Sequence, residues 1–259
     1  IAGTNGVGSS ISGFNPSSTS ENLIGSNGGG GGGADTGGTN TDAQAGGSGG
    51  GEGHQQVDAV GGRSLTLTTA NGHVSSYPGV TQTSTIQGHN GGGGTLGGGA
   101  SGAAGGGGGA GEAGENAQSS PDYRGGNGGN GLASTIIGSS KGYAAGGGGH
   151  SYTGASNRNG RGGFDPVLKI MIGGNGSDQT GQTQFATSGF SSTGSGGGGG
   201  SHPRGTGLLS GSGGSGIVAL LLTNSETPAF TEQFSLYEGS GAFTVPTGVT
   251  SIEYLLVGG

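Results

Sequence analysis

GSGGSGIVALLLTNSETPAFTEQFSLYEGSGAFTVPTGVTSIEYLLVGG, residues 211–259, is the most apolar stretch of the chain. It follows a long region dominated by glycine and ends on two glycines. Residues 216–223 (GIVALLLT) are continuously apolar, which predicts a strand covered on both faces. QFSLY (233–237), AFTV (242–245) and VTSIEYLLV (249–257) follow as further strand candidates. Pro246-Thr247-Gly248 makes a turn between the last two. The reading of the fold turns on what these strands pair with.

The rest of the chain sets the context. Of 259 residues 76 are Gly, charged residues are 8% and aromatics 5%. An ordinary domain has about 7% Gly and about 25% charged residues. The apolar content, 26% and much of it Ala, is too small for a conventional core. Disorder normally goes with high net charge or Pro, Lys and Glu enrichment, and here the net charge is −7 with 7 Pro. A flexible Gly/Ser linker fits the composition, but a linker has no need of the β segments that punctuate the glycine.

Glycine runs recur at 28–33, 91–94, 105–109, 146–149 and 196–200. Between them SLTLTT (64–69) alternates as a half-buried strand does. Ala70-Asn71-Gly72 is a turn signal, with HVSSY (73–77) returning as a hairpin. VTQTSTI (80–86), LASTII (132–137) and PVLKIMI (166–172) are further strand candidates. No stretch reads as an amphipathic helix, and glycine costs about 1 kcal/mol at each helical position. A loose repeat is present. NGVGSSISGFNPSSTSENLIGSNGGGGGG (5–33) and NGLASTIIGSSKGYAAGGGG (130–149) both pass from Asn-Gly through a Ser/Ile segment to polyglycine.

Ordered polyglycine has one well-defined option. An extended chain takes a left-handed threefold helix of about 3.1 Å per residue without internal hydrogen bonds. Its N–H and C=O groups point sideways, and with no side chains in the way several such helices can bond to one another. Buried amides are then paired as they must be. The expected fold is a bundle of polyglycine II helices about 15–30 Å long. A small antiparallel β-sheet or sandwich clamps it, and there is essentially no α-helix.

Residues 240–259 (SGAFTVPTGVTSIEYLLVGG) resemble the opening of a glycine-rich domain found in phage tail-fibre proteins and large surface proteins. Residues 213–223 (GGSGIVALLLT) resemble its closing strand, and residues 129–149 an internal element. The resemblance implies a polyglycine II bundle and brings no catalytic residues. In that pattern the opening strands precede the bundle and the closing strand follows it. Here the order is inverted. The expectation is therefore a glycine-rich domain at 1–223, with 224–259 supplying a linker and the opening strands of a following repeat or neighbouring subunit. Ile217, Val218, Leu220 and Leu222 form the closing strand. Phe243, Val245, Val249, Ile252, Tyr254 and Leu256 form the inter-unit strands. The chain starts at Ile1 without Met, which reads as a fragment, a processed form or one unit of a longer protein.

The function classes narrow accordingly. The expected protein is a structural unit of an extracellular filament, joined head to tail with copies of itself through strands. The alternative is a phage or cell-surface adhesin that recognises a receptor through loops between glycine runs. No enzyme motif is present. Seven Lys and Arg, scattered, argue against a nucleic-acid partner. No stretch approaches the ~20 apolar residues of a membrane span. No cofactor is expected. His54, His73, His89, His150 and His202 are isolated and read as loop residues. GGNGSDQTG (173–181) partly fits a calcium-binding nonapeptide through Asp178. Thr180, however, stands where an apolar residue belongs, and there is one copy. Asn175-Gly176-Ser177 is a glycosylation sequon, meaningful only in a secreted eukaryotic protein. Tyr123, Tyr143, Tyr152, Phe164, Phe185 and Phe190 flank glycine and are expected to cap or wedge the bundle.

Overall fold

A computed structural model describes residues 4–14, 21–26, 28–32, 34–35, 40–41, 43–46, 50–51, 88–96, 102–152, 158–178, 185–200, 210–223, 233–246, 249 and 251–259. The strand candidates at 64–86, along with His54, His73 and His202, lie outside these residues. Among the described residues there is no α-helix.

The glycine runs lie side by side and bond to one another through their backbones. Ala104, Gly107 and Ala110 donate N–H to the carbonyls of His150, Gly147 and Ala144. Gly125, Gly128 and Gly131 donate to Arg158, Arg161 and Phe164. Gly146 and Gly149 donate to Gly129 and Gly126, and Gly196 and Gly199 donate to Ala145 and Gly148. Donors in each pair of runs are three residues apart, the interval a threefold extended chain requires. Successive runs alternate in direction: 104–110, 123–131, 158–164 and 185–190 run one way, and 112–118, 144–150, 171–178 and 194–200 the other.

Run 144–150 sits at the centre. It bonds to runs 104–110, 123–131, 158–164, 171–178 and 194–200. A Cβ built on Gly146, Gly147, Gly148 or Gly149 would lie 2.0, 1.9, 2.1 or 2.0 Å from the carbonyl oxygens of Gly107, Gly197, Gly160 and Ala104. Backbone therefore closes off all four of these positions, and glycine is there because nothing larger fits. A net hydrogen bond is worth about 0.5–1.5 kcal/mol. Ordering a residue costs about 1–2 kcal/mol in backbone entropy, and more for glycine. Hydrogen bonds alone do not carry the array. Dispersion between close-packed backbones and apolar burial at the ends supply the remainder.

The ends are capped by small sheets. Antiparallel pairs form between β1 (Ser9–Phe14) and β2 (Glu21–Ser26), and between β3 (Ala34–Asp35) and β4 (Asn40–Thr41). At the end away from β1, β5 (Thr95–Leu96) pairs with β6 (Gly102–Ala103). Next come β7 (Leu132–Ser134) and β8 (Lys141–Tyr143), which make a hairpin. β9 (Ser151–Tyr152) then completes the sheet of β5 and β6. The two copies of the sequence repeat have the same structural order: a glycine run in, an antiparallel hairpin, a glycine run out.

The fifth cap contains the carboxyl-terminal strands. β10 (Ile217–Thr223) lies between β11 (Gln233–Tyr237) and β12 (Ser251–Val257), antiparallel to both. Ile217, Ala219, Leu220 and Leu222 are buried, so both faces of β10 are covered, as its unbroken apolar sequence predicts. The pairing joins strands from both sides of the expected domain boundary. Ile217 opposes Val257 and Thr223 opposes Ser251 along the whole strand. The expected boundary after residue 223 therefore divides one sheet. Ile252, Tyr254 and Leu256, assigned to a neighbouring unit, lie on a strand that pairs with β10 of the same chain. β10 and β12 repeat the order of the other caps, entered from run 210–216 and left through Gly258-Gly259. Residues 242–245 are not a strand, and Val249 donates its N–H to the Pro246 carbonyl.

A small apolar cluster fixes this cap to its neighbour. Tyr143, Ile217 and Val257 are buried together, with Ala144 and Leu255 packed against them. Gly259 donates to the carbonyl of Val7, and the Ser9 hydroxyl donates to that of Val257. Residues 4–9 and 257–259 thus lie alongside one another.

Candidate functional site

The end of the array that carries β7, β8 and the β10 sheet also carries the loop 164–171. PVLKIMI, expected to be a strand, is instead a tight reversal. Phe164 and Met171 form an isolated antiparallel bridge, and Asp165 N–H donates to Ile170 O. Lys169 takes a left-handed φ of 55° and donates its N–H to Asp165 O. An apolar run of this length reads equally well as strand or loop, and the deciding residue is Asp165. Its side chain is fully buried. One carboxylate oxygen accepts the N–H of Gly142 at 2.8 Å; the other accepts those of Val167 at 2.8 Å and Leu168 at 3.0 Å.

Burial by itself would raise the Asp165 carboxyl pKa. The N–H groups of Gly142, Leu168 and Val167, with the charge of Lys141, outweigh it and hold the group below the usual carboxylate range. Tyr143 is shifted upward, first by burial and then by the negative charge of Asp165. Its hydroxyl is buried without a hydrogen-bond partner among the described residues. Lys141 Nζ stands 5.5 Å from the Tyr143 ring centroid.

The Asp165 anchor holds a set of apolar side chains toward solvent. Val167, Leu168 and Ile170 are exposed, Leu168 by 55%. Leu132 begins the hairpin beside Phe164, since Gly131 N–H donates to Phe164 O. Phe190 N–H donates to Ile172 O, and the Phe190 side chain is 53% exposed. These five residues come from three separate segments at one end of the array. Of the aromatics expected to wedge the bundle, Tyr143 does so, while Phe185 and Phe190 are exposed.

The asparagines do work that the sequence reading did not assign. Arg161 N–H donates to Asn127 Oδ1 at 2.9 Å, while Arg161 O accepts the N–H of Gly128 at 2.8 Å. Phe164 is gripped in the same way by Asn130 Oδ1 and Gly131 N–H. Between antiparallel runs the grip spans two residues. Asn5-Gly6 holds Gly31 and Gly29, and Asn175-Gly176 holds Gly162 and Gly160. The carboxamide acts as a second peptide group. The signal was available in GGNGGNG (125–131), where two Asn-Gly pairs stand three residues apart.

The other expected sites fall as follows. Asp178 is buried and bridges to Ser151 across a parallel contact. Among the described residues no group of three or more His, Asp or Glu could hold a metal ion. His89 is exposed and His150 buried. Asn175 has its carboxamide engaged, and Ser177 of the same sequon is fully buried. Phe243 is half-buried and Val245 exposed, both outside the sheet. No helix among the described residues is long and apolar enough to cross a membrane. No protein-family model matches the chain, and no curated protein or solved structure matches it.

Proposed function

We propose that the chain is a structural unit of an extracellular glycine-rich fibre, its rigidity supplied by a polyglycine II bundle. The observation that carries this reading is the interlocking of run 144–150 with its neighbours at a three-residue interval. Such an array resists bending in every lateral direction, because interior runs such as 144–150 are bonded on several sides rather than two. Association between units proceeds through sheet edges. Among the described strands β11 (Gln233–Tyr237) and β12 are the two edges of this sheet. β1 and β2 lie against β12, with the Ser9 hydroxyl on the Val257 carbonyl, so the edge offered for a second copy is the outer side of β11. Leu236 on that strand is exposed.

The test is electron microscopy with sedimentation of the purified chain, alongside a Leu236→Lys variant. Filaments with a constant axial repeat, weakened by the lysine, are expected. A strictly monomeric chain at high concentration would sink the fibre reading. Filaments indifferent to Leu236→Lys would move the contact away from β11.

A second reading has an observation of its own. The exposed Leu132, Val167, Leu168, Ile170 and Phe190 on a rigid end suit an adhesin that docks an apolar receptor surface. Leu168→Asp should then abolish binding to receptor-bearing cells while leaving thermal unfolding unchanged. Retained binding would exclude this end as the contact.

A further inference from the structure

Asn-Gly is the dipeptide most prone to spontaneous deamidation, because no side chain on glycine hinders attack by its nitrogen. The sequence contains eight such pairs, at Asn5, Asn27, Asn71, Asn90, Asn127, Asn130, Asn159 and Asn175. We infer that Asn127-Gly128 and Asn130-Gly131 are latent modification sites, held unreactive by the neighbouring run and converted irreversibly when the runs part.

The chemistry has two steps. The Gly128 nitrogen loses its proton to solvent base and attacks Asn127 Cγ. A new N–Cγ bond closes a succinimide, the Cγ–Nδ2 bond breaks, and ammonia leaves. Water then opens the ring at either carbonyl. One opening gives aspartate; the other gives isoaspartate, whose main chain passes through the side-chain methylene. The net change is addition of water and loss of ammonia.

The fold blocks the first step at both reacting atoms. Gly128 N–H is bonded to Arg161 O at 2.8 Å, so the nucleophile is pinned. Asn127 Oδ1 is fixed by Arg161 N–H at 2.9 Å, and Nδ2 donates to Glu115 Oε2 at 2.8 Å, so the carboxamide cannot turn. At the second pair Phe164 holds Gly131 N–H at 3.0 Å and Asn130 Oδ1 at 2.9 Å, and Asn130 Nδ2 donates to a Glu112 carboxylate oxygen. Three bonds must break before the ring can close at either site.

The product also fits badly. Aspartate at 127 or 130 sets a carboxylate against Glu115 or Glu112 where an amide donor stood. Isoaspartate adds a backbone atom and shifts every later donor of run 123–131 out of its three-residue register. Conversion is therefore a one-way exit from the array.

Trypsin releases residues 125–141, a single peptide holding both pairs. The whole folded chain and a synthetic peptide of the same seventeen residues are incubated together at mildly alkaline pH. Deamidation is followed by mass spectrometry with chromatographic separation of aspartate and isoaspartate. Both pairs should react at least about tenfold more slowly in the folded chain, because reaction requires local opening. Equal rates would overturn the inference, and protection at one pair alone would restrict it to that pair. A second measurement tests the exit: chain aged in denaturant is refolded and fractionated by size. Isoaspartate at 127 and 130 should be depleted from the folded fraction. Recovery there in proportion to the starting material would refute it.

Discussion

Gly147 and Gly197 approach so closely that a Cβ on the first would stand 1.9 Å from the carbonyl oxygen of the second. The obstruction is backbone, which cannot swing aside. Gly147→Ala should therefore cost at least the ~1–3 kcal/mol of ordinary overpacking. Gly213 is the control: the nearest atom to its built Cβ is Ser195 O at 3.8 Å. Gly213→Ala should be neutral or gain about 0.4–1 kcal/mol by restricting the unfolded chain. Urea titration of the two variants gives the comparison, and equal midpoints would contradict a backbone-closed core.

Asp165 should make the fold acid-sensitive. Its folded pKa lies below the unfolded value of about 3.9. The stabilisation is therefore complete above about pH 4 and is lost as pH falls through the lowered folded value. Asp165→Asn keeps one acceptor oxygen where two serve three N–H groups, and should cost about 1–3 kcal/mol at neutral pH. Stability measured from neutral pH down to about pH 2 should fall less steeply in the variant than in the natural chain. Parallel curves would show that another carboxylate governs the acid limb.

Tyr143→Phe removes a buried hydroxyl that has no hydrogen-bond partner among the described residues. The ring contacts with Ile217 and Val257 are kept. The change should be neutral or stabilising by up to about 1 kcal/mol. Because the Tyr143 pKa is raised, its protonated form is favoured in the fold, and stability is lost as pH climbs above about 10. That alkaline loss should shrink in the Phe variant. A clear destabilisation at neutral pH would mean that the hydroxyl is satisfied after all.

Asn130→Ala leaves Phe164 N–H without its acceptor and should cost about 1–3 kcal/mol, the range for an orphaned donor. Hydrogen exchange offers a local readout: the Phe164 and Gly131 amides should lose protection together. Loss at Phe164 alone would show that the two halves of the Asn130-Gly131 grip act independently.

Much of this was legible before any coordinate. The unbroken apolar run of β10, a strand starting at Leu132 and the absence of helix among the described residues all follow from local pattern. Two features did not, for the same reason. PVLKIMI folds back because Asp165 reaches across to Gly142, a contact 23 residues away in sequence. β12 pairs with β10 across residues 224–250, and no turn signal specifies that register. Local pattern proposes elements, while these outcomes depend on partners distant in sequence. The asparagine grips were missed for a different reason: Asn-Gly ordinarily marks a turn, and here it marks the middle of an extended run.

The make-up of the array has a thermal consequence. Exposing apolar surface raises heat capacity, by about 0.45 cal/K/mol/Å², while exposing polar surface lowers it by about 0.26. Around run 144–150 the groups hidden from water are largely peptide amides. Unfolding should therefore change the heat capacity by well under the usual ~12–15 cal/mol/K per residue. The stability curve is then broad and shallow, so that this protein keeps nearly the same margin in the cold as in warmth.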